Sequence, residues 1–140
     1  MRASTRFVRI CLLLNLCCLL PLTALAQEGH PLTGSWHGEW HPAPGQKTPV
    51  LFYMKWDSKQ VEGMINPGPN SMPLKVVNLD AANWTVHIEA DGKDSAGKPI
   101  HVVVDGKLEN IGSYNRTITG TWNQTTPQGT TKGDLKLTRD

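Results

Sequence analysis

The chain has 140 residues, 14 basic and 12 acidic side chains, five histidines and three cysteines, and 39% of its residues are hydrophobic. That is enough for one domain with its own core. The charges are interspersed rather than gathered into a stripe, which excludes a basic nucleic-acid surface.

Residues 1–26 read as a secretory signal peptide. Arg2, Arg6 and Arg9 precede a Leu-rich apolar run, Ile10 to Leu25, and Ala24-Leu25-Ala26 is a small-x-small cleavage signal, so the expected mature start is Gln27. The run is interrupted by Asn15, Pro21 and Thr23, and it is short for a spanning helix, which needs roughly 20 apolar residues. The arginines are not adjacent, as a twin-arginine signal requires, and Leu16 is a poor residue to precede a lipidated Cys17. Cys11, Cys17 and Cys18 all lie in the leader, so residues 27–140 can form no disulfide and no thiolate metal site. Cleavage also removes three arginines and no acids, so 14 basic residues become 11 against 12 acids, a net charge of −1. The expected location is secreted or periplasmic, with no membrane association after cleavage.

From Gln27 onward the pattern is one of short strands. Gly34 to Trp40 alternates Trp36, Gly38 and Trp40 against His37, Glu39 and His41, the period of a half-buried strand. Pro42-Ala43-Pro44-Gly45 breaks it. Pro49 to Trp56 places Val50, Phe52, Met54 and Trp56 on one face, and Gln60 to Asn66 follows after a hairpin-length turn. The stretch Asn66 to Pro73 holds three prolines and a glycine and cannot be a central strand. Leu74 to Leu79 and Trp84 to Ala90 are the next strands, the latter with Trp84, Val86, Ile88 and Ala90 inward. Asp91 to Pro99 reads as a polar loop, and strands at Ile100 to Leu108, Arg116 to Asn123 and Thr131 to Arg139 complete the chain. About eight short strands joined by turns, with no helical period, predict an all-β, eight-stranded antiparallel up-and-down barrel over residues 27–140.

Leu32-Thr-Gly-Ser-Trp-x-Gly-x-Trp40, Val61-Glu-Gly-Met-Ile65, Ile118-Thr-Gly-Thr-Trp-x-Gln124 and Gly133-x-Leu-x-Leu-x-Arg139 carry a resemblance. Together they resemble calycin-type, lipocalin-like small barrels, and are similar to the module that precedes the catalytic domain in some secreted bacterial α/β-hydrolases. The resemblance implies a barrel whose structural motif is Gly34, Trp36, Gly120, Trp122 and Arg139, with Arg139 stacking on Trp36 as a cation–π pair. The two Thr-Gly-Ser/Thr-Trp copies themselves read as the opening and closing strands of the barrel. The resemblance does not imply hydrolysis, because no Gly-x-Ser-x-Gly elbow is present. Ile118 to Trp122 is also similar to the avidin group, whose biotin-contacting positions find no residue-by-residue match here.

No catalytic residue, metal site or cofactor is expected. His37 and His41 share a strand face with Glu39 but stand about 13 Å apart, too far to ligate one ion. Glu89 and His101 are expected to oppose each other across a hairpin as a surface ion pair. The tryptophans are the enriched class, and they either fill the barrel or line a mouth where indoles hold an apolar or sugar ligand. The candidate ligand-binding set is Trp40, Tyr53, Trp56, Asn66, Asn70 and Trp84, with His41 a further polar candidate. The expected function is a non-catalytic binding module for a small apolar or carbohydrate ligand. The alternative is a structural or accessory protein with a filled core that binds or inhibits a secreted enzyme.

Overall fold

A computed structural model describes residues 29–140; the expected leader and its cleavage site lie outside the described residues. The strands are β1 Gly34–His41, β2 Thr48–Trp56, β3 Val61–Ile65, β4 Met72–Asp80, β5 Thr85–Lys93, β6 Pro99–Glu109, β7 Thr117–Thr126 and β8 Gly129–Arg139. Each pairs antiparallel with the next, and β8 returns to β1 to close an eight-stranded barrel. There is no helix among the described residues.

Strand parity explains the interior. Alternate side chains of a strand face opposite sides of the sheet, so one register sends a whole apolar set inward. Trp36 and Trp40 of β1, Phe52 and Met54 of β2, Ile65 of β3, Ile88 and Ala90 of β5, Val102 and Val104 of β6, Ile118 and Trp122 of β7, and Leu135 and Leu137 of β8 are all buried. They fill the lumen. Closure needs tight curvature as well. Gly106 and Gly120 face each other across β6 and β7, and a Cβ on Gly120 would run into the Asp105 carbonyl and the Gly106 Cα. The bare backbone lets the two strands bend together there.

Several boundaries depart from the sequence reading: β4 begins at Met72, inside the Asn66–Pro73 stretch expected to be loop, β7 runs on to Thr126 past the expected Asn123, and β8 starts at Gly129 rather than Thr131. β5 continues to Lys93, because Asp91, Gly92 and Lys93 pair with His101, Ile100 and Pro99. The turn is made instead by Asp94, whose Oδ1 accepts from the amides of Ala96 (2.9 Å) and Lys98 (2.8 Å), a side-chain closure that shortens the loop to residues 94–98. This register also corrects the expected Glu89–His101 pair. Glu89 stands opposite Val103; His101 instead meets Asp91 at 2.8 Å, and His87 meets both Asp105 (2.6 Å) and Glu89 (3.0 Å).

Odd-numbered strands all run toward one end of the barrel, so its two ends differ in what they carry. The N-terminal segment and the turns around residues 57–60, 81–84 and 110–116 gather at the closed end. Leu32 is fully buried there and its carbonyl accepts from Trp36 Nε1 at 2.8 Å. Buried Arg116 donates from Nε to the Ile111 carbonyl (3.0 Å) and from Nη1 to the Pro31 carbonyl (3.1 Å), tying the lead-in to the β6–β7 connection. The expected Arg139–Trp36 stack is replaced. Arg139 is the ladder partner of Trp36, but its guanidinium lies over Tyr114, 5.8 Å from the ring centre. Gly34, at φ +136°, leaves room for that course; a Cβ there would sit 2.7 Å from Arg139 Nε. The two Thr-Gly-Ser/Thr-Trp copies are not spatial equivalents either: β8 lies between β1 and β7, Trp36 sits at the closed end, and Trp122 lies near the open one.

The wall is split on one side. β3 and β4 pair only at Met64–Pro73 and Ile65–Met72. Beyond that point Pro73 supplies no N–H, and the β4–β5 register slips between Leu74 and Val76, two features that end a ladder. A cleft of about 470 Å³ opens between Gln60–Gly63 and Leu74–Asn78, with His30 and Trp56 at its side.

Candidate functional site

The open end of the barrel is ringed by the connections at residues 42–47, 66–71, 94–98 and 127–128. Inside them is a cavity of about 210 Å³ lined by Trp40, Val50, Asn66, Asn70, Met72, Lys93, Asp94, Ser95, Ile100, Trp122 and Gln124, with Thr48 at the β2 edge. The inward parity of β1, β2, β4, β6 and β7 supplies its walls. Trp40 and Trp122 stack at 5.2 Å between centroids and 26° between planes. Phe52 meets Trp122 edge-on at 6.1 Å and 85°, closing the space below. Such aromatic pairs add about 0.5–1.5 kcal/mol each beyond the area they bury.

The hydrogen bonding of these indoles is incomplete. Trp40 is 7% exposed and Trp122 1%, yet neither Nε1 has a hydrogen-bond partner. Leaving a buried donor unsatisfied costs about 1–3 kcal/mol. Trp36, equally buried at the closed end, has its Nε1 paired. The Trp40 indole lies against the bare backbone of Gly133, where a Cβ would come within 2.9 Å of Nε1. β8 thus gives up a side chain to make room for the ring.

The long loop after β3 is anchored rather than slack. Asn66 adopts φ +49°, a left-handed conformation that asparagine tolerates. Its amide N–H donates to the Leu51 carbonyl (2.7 Å) and its Oδ1 accepts from the Leu51 amide (3.0 Å). Ser71 N–H donates to the Gly68 carbonyl at 3.2 Å, which tightens the loop's return to β4. Met72 then packs on the bare backbone of Gly92. Outside the rim, Glu39 binds His41 (3.3 Å) and Lys47 (3.1 Å), and hydrogen bonds from His41 and then Lys47 hold its carboxyl below the usual carboxylate range.

The structure brings Trp40, Asn66 and Asn70 together at this mouth. The other three of the six expected ligand residues lie elsewhere. Tyr53 is on the outer wall of β2, 46% exposed. Trp56 ends β2 at the far end, 41% exposed, stacked on His30 at 4.8 Å. Burial lowers the His30 pKa, which favours the neutral imidazole beside the indole. Trp84 precedes β5 rather than opening it; it takes φ +55°, packs against the core near the closed end, and its carbonyl accepts from the Leu108 amide. His41 lies just outside the rim, bound to Glu39. The mouth also contains residues outside the expected ligand set. Trp122 was placed in the structural motif, and Val50, Met72, Ile100 and Gln124 are the inward residues at the mouth ends of their strands. Among the described residues no three His, Asp or Glu side chains gather to hold a metal ion.

No protein-family model, curated protein or solved structure matches this chain.

Proposed function

We propose that the protein is a secreted or periplasmic, non-catalytic binding module that takes one small apolar or carbohydrate ligand at the open end of its barrel. The observation that carries this reading is the stacked Trp40–Trp122 pair at the base of the mouth cavity, buried and with both N–H groups unpartnered. A flat indole surface is suited to an apolar ring or the face of a sugar. The leader-like N-terminus and the calycin-type motifs support the same reading. The cavity is smaller than the roughly 300–1,000 Å³ of drug-sized sites, so the ligand is on the scale of one ring.

Native mass spectrometry of the secreted protein, compared with its denatured mass, tests this. A reproducible extra mass of a few hundred daltons or less, lost on denaturation and lost in Trp122→Ala, is the expected result. A bare chain mass, together with no change in tryptophan fluorescence across neutral rings, ring acids and monosaccharides at millimolar concentration, would reject it.

A second reading rests on the outer wall. Leu51 and Tyr53 are exposed there, and Tyr53 is the ladder partner of Met64, so an apolar stripe crosses β2 and β3 on the outside of a filled barrel. An accessory role toward a secreted enzyme would use that stripe. It requires a protein complex that Leu51→Asp with Tyr53→Asp disrupts.

A further inference from the structure

The split side of the wall carries a second site, separate from the mouth. We propose that the cleft between β3 and β4 takes an extended peptide segment of a partner protein, which joins the barrel as an added strand along β4. The proposal stands whether or not the mouth binds a ligand.

The ladders on either side show which backbone groups are open. Bonded and non-bonded pairs alternate along an antiparallel ladder. At the two ends of the β2–β3 hairpin, Asn66 N–H donates to the Leu51 carbonyl and Asp57 N–H to the Gln60 carbonyl. Tyr53–Met64 and Lys55–Glu62 are therefore the bonded pairs between them, and Val61, Gly63 and Ile65 turn their N–H and C=O groups away from β2, toward β4. The β5–β6 hairpin is pinned in the same way, by Leu108 N–H on the Trp84 carbonyl and Asp94 N–H on the Lys98 carbonyl. Even-numbered residues of β5 thus bond to β6, and odd-numbered ones to β4. Thr85, His87 and Glu89 take Asp80, Asn78 and Val76. That leaves the backbone groups of Val77 and Leu79 turned toward the cleft. Of these open groups, only those of Ile65 meet a ladder partner across the gap, Met72.

The side chains point the same way. Most inward apolar residues of the other strands are buried, but Leu74, Val77 and Leu79 of β4 pack on the core and stay partly exposed. The strand that would cover them, β3, spans only Val61–Ile65, whereas β4 runs on to Asp80. The cleft of about 470 Å³ stands where that cover is missing.

This combination selects a main chain. An extended peptide presents N–H and C=O groups at the spacing of the β4 edge and sends every second side chain inward, over Leu74, Val77 and Leu79. A small polar ligand would meet one or two backbone groups and leave that apolar flank in water. The lining carries Glu62 on one bank and Lys75 on the other, so apolar residues at alternate positions, rather than net charge, set the preference. An open edge is also an aggregation hazard, and Pro73, Lys75 and the irregularity between Leu74 and Val76 guard its paired end. From Val76 to Asp80 the pairing with β5 is regular, and that is the stretch left for an incoming strand.

Three capped peptides test this, each with a lysine at both ends and a centre alternating threonine with valine, leucine or phenylalanine. Each is paired with a counterpart N-methylated at its central amides. Protein expressed from the full 140-residue chain is labelled with ¹⁵N, and backbone amide exchange is followed by NMR. At least one peptide is expected to slow exchange at Val77 and Leu79 by about tenfold when present at about ten times its Kd. It should also shift the Val61 and Gly63 amides and leave the Trp40 and Trp122 indoles unmoved, and its N-methylated counterpart should do neither. Val77→Pro removes an N–H that the β5 ladder does not use, so it should fold and lose the effect; if it does not fold, the N-methylated peptides decide. Unchanged amides with all three peptides at millimolar concentration overturn the proposal, and so does equal binding by the N-methylated forms. Val77 and Leu79 amides already protected in a free protein of dimeric mass would assign the cleft to a second copy and refute a partner peptide. None of these outcomes bears on the mouth.

Discussion

Trp36 and Trp122 offer a controlled comparison. Both indoles are essentially fully buried, one with its N–H paired to the Leu32 carbonyl at 2.8 Å and one with no partner. Substituting each by Phe removes a similar ring volume, so the packing loss largely cancels in the difference. Trp36→Phe also removes a made hydrogen bond, a net loss of about 0.5–1.5 kcal/mol. Trp122→Phe removes an unmade one and so relieves about 1–3 kcal/mol. Trp36→Phe is therefore expected to be the more destabilising by about 1.5–4.5 kcal/mol. With a urea m-value of roughly 1–3 kcal/mol/M, the two midpoints separate by about 0.5 M or more. Urea unfolding of ligand-free protein, followed by circular dichroism, measures this. Midpoints within about 0.2 M of each other, at equal m, would show that Trp122 Nε1 is already satisfied.

Other consequences are open to measurement. Gly120→Ala drives a methyl group into the Asp105 carbonyl, and backbone cannot yield as a side chain does; a loss of about 1–3 kcal/mol or outright failure to fold is expected, read by thermal unfolding. Arg116→Met leaves the Ile111 and Pro31 carbonyls without their donor, so a loss of about 2–4 kcal/mol is expected, together with proteolytic release of the lead-in ahead of β1. The His87 pKa is raised, first by Asp105 and then by Glu89. Its stabilisation is therefore full below pH 6.5, the ordinary histidine value, and is lost as pH rises through the higher folded-state pKa. The side chain is 37% exposed, so the amplitude stays below about 1 kcal/mol, and His87→Gln should flatten the stability profile above that pH.

The barrel was readable because the inward apolar alternation persists along most strands, and a period-2 signal over short spans is what a strand requires. The site was only half readable, for a physical reason visible in the chain. Parity reports which face a side chain occupies but not how high along the barrel it sits. Trp40, Trp56 and Trp84 all fall on apolar faces in the sequence pattern, yet Trp40 is next to last in an odd-numbered strand, whereas Trp56 ends an even-numbered one and Trp84 precedes an odd-numbered one. In an up-and-down barrel that alone sends the latter two to the opposite end. The same rule would have placed Val50, Met72, Ile100 and Gln124 at the mouth. What no local pattern carried was the pairing of the β5–β6 hairpin. Asp91-Gly92-Lys93 has the composition of a turn, and only the closure made by Asp94, the next residue, turns it into strand.

A cylinder slit along part of its height loses its resistance to being prised apart there. With β3 and β4 joined by two residue pairs, β1 to β3 form a three-stranded flap whose main attachment to the rest is the long β1–β8 ladder. Those two pairs, Met64–Pro73 and Ile65–Met72, adjoin Asn66 and Met72 of the mouth. Releasing them would widen the open end sideways without unfolding any other ladder. The two pairs between β3 and β4 are thus the weakest seam of the wall, and among the strand amides exchange should be fastest along its two banks, at Val61–Gly63 and Leu74–Val76, and slowest in β6 and β7.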